Sequence, residues 1–323
     1  MISRRAFIAI VLGSPLLARA QPKMQRIGYL LLTPLVDPPS VERAAFLAEL
    51  RALGYIDGKN LRIEYRSAEG SRQRLEALAE ELVREKVDVI VAPSTPSARA
   101  ALQATRSVPI VMLGIGDAQR AKLVANYARP EGNVTGVTWL QAELVSKRFQ
   151  LLKETLPRAV GVGVLRNPGD AAAGEQYSLG VEAARRLRLE VHDYHVSGTD
   201  QLQQALERAA GERPDALFVV PDSRIVTYRK IIADEALKQR IPCFSSYRGF
   251  VDAGALMSYA ADLTDLYRRG AAFVARLLQG ARVAELPVEQ PSRFQLVLNL
   301  RTARALGLTI PPSLLLRADQ VVE

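Results

Sequence analysis

Val87-Asp88-Val89-Ile90-Val91-Ala92-Pro93-Ser94-Thr95-Pro96-Ser97 decides how this chain folds. Apart from Asp88, residues 87–92 are an unbroken apolar run, the signature of a strand covered on both faces. Pro96 then suits the first position of a helix, where its missing N–H leaves nothing unpaired, and Thr95 is placed to cap it. A buried strand that turns at once into a helix is half of a parallel βαβ unit.

The same alternation extends in both directions. Upstream, residues 27–32 and 61–65 read as strands and residues 41–53 and 72–85 as helices. Ala45, Leu50 and Leu53 lie near helical spacing in the first helix, Gly54 supplies its stop, and Leu75, Leu78 and Leu82 line one face of the second. Downstream come a short helix at 97–105 and strands at 110–113 and 134–138. The pattern then restarts, with strands at 161–165, 190–196, 216–220 and 242–246 alternating with helices at 174–187, 199–210 and 226–239. Two such runs predict an α/β protein of two doubly wound, parallel-sheet lobes. A further helix at 263–279 is placed to return to the first lobe, and residues 286–300 to cross back. The expected lobes are therefore residues 26–138 plus about 260–287, and residues 139–258 plus about 288–323.

Composition agrees with this and narrows the function. A chain of 323 residues suits two domains, and 48% hydrophobic with 24% charged residues excludes a disordered or fibrous class. The formal net charge is +9, of which Arg4, Arg5 and Arg19 supply three in a leading segment. Pairs such as Arg185-Arg186 and Arg268-Arg269 fall on helical stretches among acids, so they read as solvated faces, and no nucleic-acid partner is expected. The single cysteine, Cys243, lies in an apolar run and excludes an intramolecular disulfide. His192 and His195 fall on opposite faces of one strand with no third ligand nearby, so no metal is expected.

The first 20 residues read as an address. Arg4 and Arg5 precede an apolar run, residues 6–18, and Ala18-Arg19-Ala20 is a small-x-small cleavage signal. The run is shorter than the ~20 residues of a membrane span. Ser3-Arg4-Arg5-Ala6-Phe7 also fits the twin-arginine form of export signal, which leaves two export routes open. A mature chain starting near Gln21, in the periplasm or otherwise extracytoplasmic and without stable membrane insertion, is the expectation.

In an open parallel sheet, ligands bind at the carboxyl ends of the strands, where helix N-termini present free N–H groups. The first lobe offers Thr33, then Ser94, Thr95 and Ser97, then Asp117 within Gly114-Ile115-Gly116-Asp117, and Thr138. Ser94–Ser97 suits a carboxylate and Asp117 an ammonium group, although each also suits an ordinary capped turn. The Gly-x-Gly lacks the third glycine of a dinucleotide site, and no cofactor is expected. The second lobe offers Asn167, Asp222 and Ser246, and Tyr259 stands near a later crossing. No Ser/His/Asp set, Gly-x-Ser-x-Gly elbow or zinc-ligand spacing is present, which disfavours an enzyme. The alternatives are a hydrolase using Asp117 and Asp222 as acid and base, and a ligand-sensing module without transport.

Five longer stretches add a family resemblance: residues 53–60, Leu-Gly-Tyr-Ile-Asp-Gly-Lys-Asn; 128–136, Ala-Arg-Pro-Glu-Gly-Asn-Val-Thr-Gly; 257–262, Met-Ser-Tyr-Ala-Ala-Asp; 286–291, Leu-Pro-Val-Glu-Gln-Pro; and 299–308, Asn-Leu-Arg-Thr-Ala-Arg-Ala-Leu-Gly-Leu. In these the chain resembles the substrate-binding proteins of ATP-driven bacterial importers, of the tryptophan/tyrosine type, with a type I periplasmic binding fold. The resemblance implies a small-molecule solute in the cleft, a hinge of three segments, and an ABC transporter permease with its ATPase as partners. It also implies an amino acid, aromatic ones included, as the ligand class. The hinge would fall near Thr138-Trp139, Ser258-Tyr259 and residues 288–293. Two departures touch the pocket: Ser94-Thr95-Pro96-Ser97-Ala98 stands where Gly-Thr-Pro-Ala-Ala is commoner, and Gly116-Asp117-Ala118 where Gly-Asp-Pro is usual.

Overall fold

A computed structural model describes residues 24–323, and the expected signal segment, residues 1–20, lies outside the described residues. Strands β1 (Gln25–Leu31), β2 (Leu61–Ser67), β3 (Val89–Ala92), β4 (Ile110–Ile115) and β5 (Val134–Thr138) form an all-parallel sheet ordered β2-β1-β3-β4-β5. Helices α1 (Val41–Ala52), α2 (Arg72–Arg84) and α3 (Thr95–Ala104) connect them.

Strand periodicity sends alternate side chains to opposite faces. Ile27, Tyr29 and Leu31 therefore meet Phe46 and Leu50 of α1 on one face. Leu30, Ile90 and Ile110 meet Leu75, Leu82 and Ala101 of α2 and α3 on the other. Asp88, the one polar residue of the apolar run 87–92, stands just before β3 and ties it to β1. Its carboxylate accepts from the Arg26 N–H at 2.8 Å, while its own N–H donates to the Arg26 carbonyl.

After β5 the chain enters a second sheet through α4 (Val145–Thr155). Strands β6 (Gly161–Arg166), β7 (Glu190–His195), β8 (Ala216–Val219), β9 (Cys243–Ser245), β10 (Met257–Ala261), β11 (Phe294–Asn299) and β12 (Gln320–Val322) are ordered β12-β11-β10-β9-β8-β6-β7. Only the β10–β11 pairing is antiparallel. Helices α4 and α5 (Ala171–Arg186) cover one face with Phe149, Leu152 and Ala184. Helices α6 (Thr199–Glu212), α7 (Arg229–Lys238) and α8 (Arg248–Asp252) cover the other with Leu206, Ile232 and Phe250. Burying each such side chain is worth about 1.5–3 kcal/mol, so each lobe has its own core.

Between β10 and β11 the chain leaves the second sheet to lay α9 (Leu263–Leu278) against α1, β4 and β5 of the first. It then returns along β5, where the Thr138 N–H donates to the Glu289 carbonyl at 2.9 Å. The chain thus passes between the lobes three times, at residues 139–144, at Asp262, and at 290–293. It ends in α10 (Leu300–Leu306), α11 (Pro312–Arg317) and β12 beside β11.

Three local expectations change. Ser94, not Thr95, is the cap of α3, its oxygen accepting from the Ser97 N–H, so Thr95 and Pro96 open the helix. Tyr259 lies inside β10, paired with Leu296, and the crossing follows it at Asp262. Helix α4 was not anticipated from the sequence.

Candidate ligand-binding site

Two contacts bring the carboxyl ends of the two sheets face to face. On one rim the Tyr247 hydroxyl, just beyond β9, donates to Glu42 of α1 at 2.9 Å. On the other, Arg120, beyond β4, pairs with Glu175 of α5. Between α2 and α3 of the first lobe and the start of α5 lies a cavity of about 630 Å³, whose wall includes Thr95, Asp117 and Asp170. A second, of about 210 Å³, lies by the crossings among Glu42, Trp139, Tyr247 and Asp262.

In the first lobe, Ser97 is fully buried and its hydroxyl lies 2.8 Å from that of Ser94. Together they leave the start of α3, a natural seat for an anion, at the cleft. Thr33 follows β1 and its carbonyl accepts from Ser67. Thr138 is fully buried and hydrogen-bonds Glu289, so it joins two crossings. Asp117 has four partners of its own: the Gln119 and Arg120 N–H groups, the Tyr127 hydroxyl at 2.9 Å, and the Arg120 guanidinium. Burial, then this bond to Asp117, pushes the Tyr127 pKa up to about 12.

In the second lobe, Asn167 donates to Asp222 at 2.5 Å and accepts from the Gly169 N–H. Asp222 also accepts from the Arg224 and Ile225 N–H groups. Asp170 caps α5 through the Ala173 N–H. Burial first, and then the charge of Asp222, raises its pKa. Asp170 was not singled out in the sequence; the Gly169-Asp170 turn before an Ala-rich helix was its signal. Ser246 is fully buried. Tyr259 stacks on Phe294 at 6.3 Å, and its carbonyl accepts from Arg148 at 2.8 Å. Cys243 is buried, which pushes its thiol pKa up to about 12. His192 and His195 sit on β7, the edge strand, pairing with Glu212 and Asp193.

Two facing α/β lobes joined by three crossings, with a polar cleft between them, define the fold of the type I periplasmic binding proteins. The chain belongs to the ABC transporter substrate binding protein family, which matches residues 35–322. It is 30% identical over 288 residues, 88% of this chain and 82% of its relative, to the tyrosine-binding protein of Clostridioides difficile (strain R20291). Two solved structures, each 26% identical and covering 92% of this chain and 99% of theirs, differ in how well they superpose. The ABC domain in complex with L-Trp from Streptococcus pneumonia gives a TM-score of 0.84. The ligand-free, open structure of a substrate-binding protein with adhesive properties from Clostridium difficile gives 0.68. Family membership makes this chain a capturer of solute for an ABC transporter.

Proposed function

We propose that the cleft binds an amino acid as its zwitterion, carboxylate to the first lobe and ammonium to the second. The observation that carries this is the charge layout: the start of α3 at Ser94–Ser97, whose hydroxyls and helix dipole suit an anion, on one wall of the cleft, and the Asp170 carboxylate on the other, with the charge of Asp222 beside it. The ammonium goes to Asp222 in this reading because Asp117 already has the Arg120 guanidinium as its counter-charge, whereas the bonds to Asp222 come from neutral N–H groups. A guest bound from both sides favours closure, since only the closed form lets both lobes touch it. The closer match to the L-Trp complex than to the open, ligand-free structure, at equal identity and coverage, supports a closed arrangement of the lobes here. The relatives' tyrosine and tryptophan make aromatic amino acids the first ligands to try.

Delivery would be to a permease and its ATPase, in the periplasm after removal of residues 1–20. Among the described residues no helix is long and apolar enough to cross a membrane. Thermal-shift screening of residues 21–323 against the twenty amino acids tests the reading. A rise in Tm with at least one of them is expected, and no response to any sinks it.

Asp170 gives a second check, with the sign fixed by its environment. Its raised pKa means that the folded state resists ionisation, so the charge costs stability at neutral pH. Asn caps a helix as well as Asp does. Asp170→Asn is therefore expected to raise the Tm of the ligand-free protein by roughly 2–4 °C at pH 7 while weakening ligand binding. The Tm difference fades as pH falls through the folded-state pKa of Asp170, below which the parent is neutral there too. Melting curves from pH 3 to 8 measure it; a lower Tm in the variant at pH 7 contradicts the account.

A further inference from the structure

Among the described residues, seven other than glycine hold a positive φ. Lys86, Arg188, Arg213 and Arg240 do so where α2, α5, α6 and α7 end, the ordinary stop of a helix. Glu69 and Lys122 do so in exposed turns. Leu140, at φ 48°, is different: it ends no helix, and it lies in the first crossing between the lobes. Neither Asp262 nor any of residues 290–293, the other two crossings, has a positive φ. The left-handed conformation costs a residue with a Cβ a factor of about 5–30 in equilibrium, and leucine has no polar group to offset it locally, as asparagine does.

The bonds on either side show what Leu140 does. The Trp139 N–H donates to the Ile115 carbonyl at 2.7 Å and the Leu140 N–H to the Gly116 carbonyl at 3.1 Å, so the chain is tied to the first lobe as far as the nitrogen of Leu140. One residue later the Gln141 carbonyl accepts from Arg148 of α4 at 2.7 Å and is tied to the second. Only the backbone torsions of Leu140 and Gln141 lie between the two anchorages, so a rotation of one lobe against the other passes through them along this crossing. The half-buried Leu140 side chain takes no part in the apolar cores of either lobe, so core packing does not account for its backbone.

We infer that Leu140 is a loaded pivot: its left-handed backbone is strained in the closed arrangement and relaxes when the lobes part, so it sets solute affinity without touching the solute. This rests on the closed arrangement argued above. Strained residues persist only where their surroundings over-determine them, and they gather at switches. Here the surroundings are the anchorages at Gly116 and Arg148 and the closing contacts Arg120–Glu175 and Tyr247–Glu42. Parting the lobes gives up the closing contacts and lets Leu140 return to negative φ. The strain therefore works against closure, and the affinity observed is the intrinsic one reduced by the fraction of molecules that are closed. Leu140 is in this sense a positioning residue.

The variants Leu140→Gly, Leu140→Asn and Leu140→Val of residues 21–323 test this. Glycine adopts positive φ freely, asparagine tolerates it, and β-branched valine tolerates it least. In calorimetry with L-tyrosine and L-tryptophan, Leu140→Gly is expected to bind about 5- to 30-fold more tightly than the parent, with Leu140→Asn between them and Leu140→Val weaker than both. Small-angle scattering without any guest is expected to show an open parent and more compact glycine and asparagine variants. The asparagine variant separates relief of strain from the added flexibility of glycine. A residue that served packing alone would lower the Tm of all three variants and leave the shape of the ligand-free protein unchanged. Unchanged scattering curves in both the glycine and the asparagine variant overturn the inference, as does weaker binding in both. A parent that scatters as closed without a guest overturns it too. Because scattering needs no guest, failure of tyrosine and tryptophan to bind counts against the amino-acid reading and leaves the test of the pivot intact.

Discussion

Replacing Arg148 by methionine is expected to cost about 3–5 kcal/mol of stability, because three buried acceptors lose their donor at about 1–3 kcal/mol each before relaxation. In melting experiments that corresponds to a Tm lower by roughly 10 °C. Arg148 lies on α4, 3% exposed, and its guanidinium donates to the Gln141 carbonyl at 2.7 Å, the Gln141 side-chain oxygen at 2.8 Å and the Tyr259 carbonyl at 2.8 Å. None of these is a carboxylate. Burial pushes its pKa down to about 9, still well above neutral, so it carries its charge among neutral oxygens. Methionine fills a similar length but donates nothing, leaving buried acceptors unpaired at about 1–3 kcal/mol each before relaxation. Gln141 lies in the first crossing and Tyr259 precedes the second, so the same change is expected to loosen the joint and weaken ligand binding. A variant within about 1 kcal/mol of the parent in urea titrations would refute this role.

Asp222→Asn is expected to weaken amino-acid binding by about 10- to 150-fold, since hydrogen bonds to charged groups are worth about 1.5–3 kcal/mol and the lost one is buried by closure. Stability should change far less. The Asn oxygen can still accept from the Arg224 and Ile225 N–H groups, so the turn after β8 survives. What disappears is the negative charge, and the new amide faces the amide of Asn167, donor to donor. Calorimetry with whichever amino acid stabilises the parent measures the loss. Parent-like affinity in this variant would remove Asp222 from the site, and with it the division of the zwitterion between the lobes. Glu42→Gln is a useful contrast: it keeps an acceptor for Tyr247 and should change affinity by only a fewfold.

The lobes could be read in advance because strands buried on both faces leave apolar runs, and those around Val89 and Ala216 are nearly uninterrupted. Helix α4 escaped notice because its inward face carries a buried arginine, Arg148, where a periodic pattern wants an apolar residue. The short strand β12, of three residues, is too brief to show a period, and the neighbour that justifies it lies well before it in sequence. Positions just past the strand ends were legible as cleft positions, since topology alone puts them there. Which of them are already spoken for was not. Asp117 and Asp222 look alike in the sequence, and only the contacts of Tyr127 and Arg120 with the one, and of Asn167 with the other, tell them apart.

The excursion of α9 bears on how the molecule is made. Synthesis proceeds from the N-terminus, and when β5 leaves the ribosome the first sheet still lacks the helix that covers β4 and β5. Leu266, Phe273, Val274 and Leu277, which seal that face, arrive only after five of the second sheet's seven strands have been translated. The two halves must therefore mature interleaved, with an oily surface held open in the growing chain. A gene fragment ending at residue 138 is expected to yield insoluble product, whereas adding residues 262–289 in trans should rescue it.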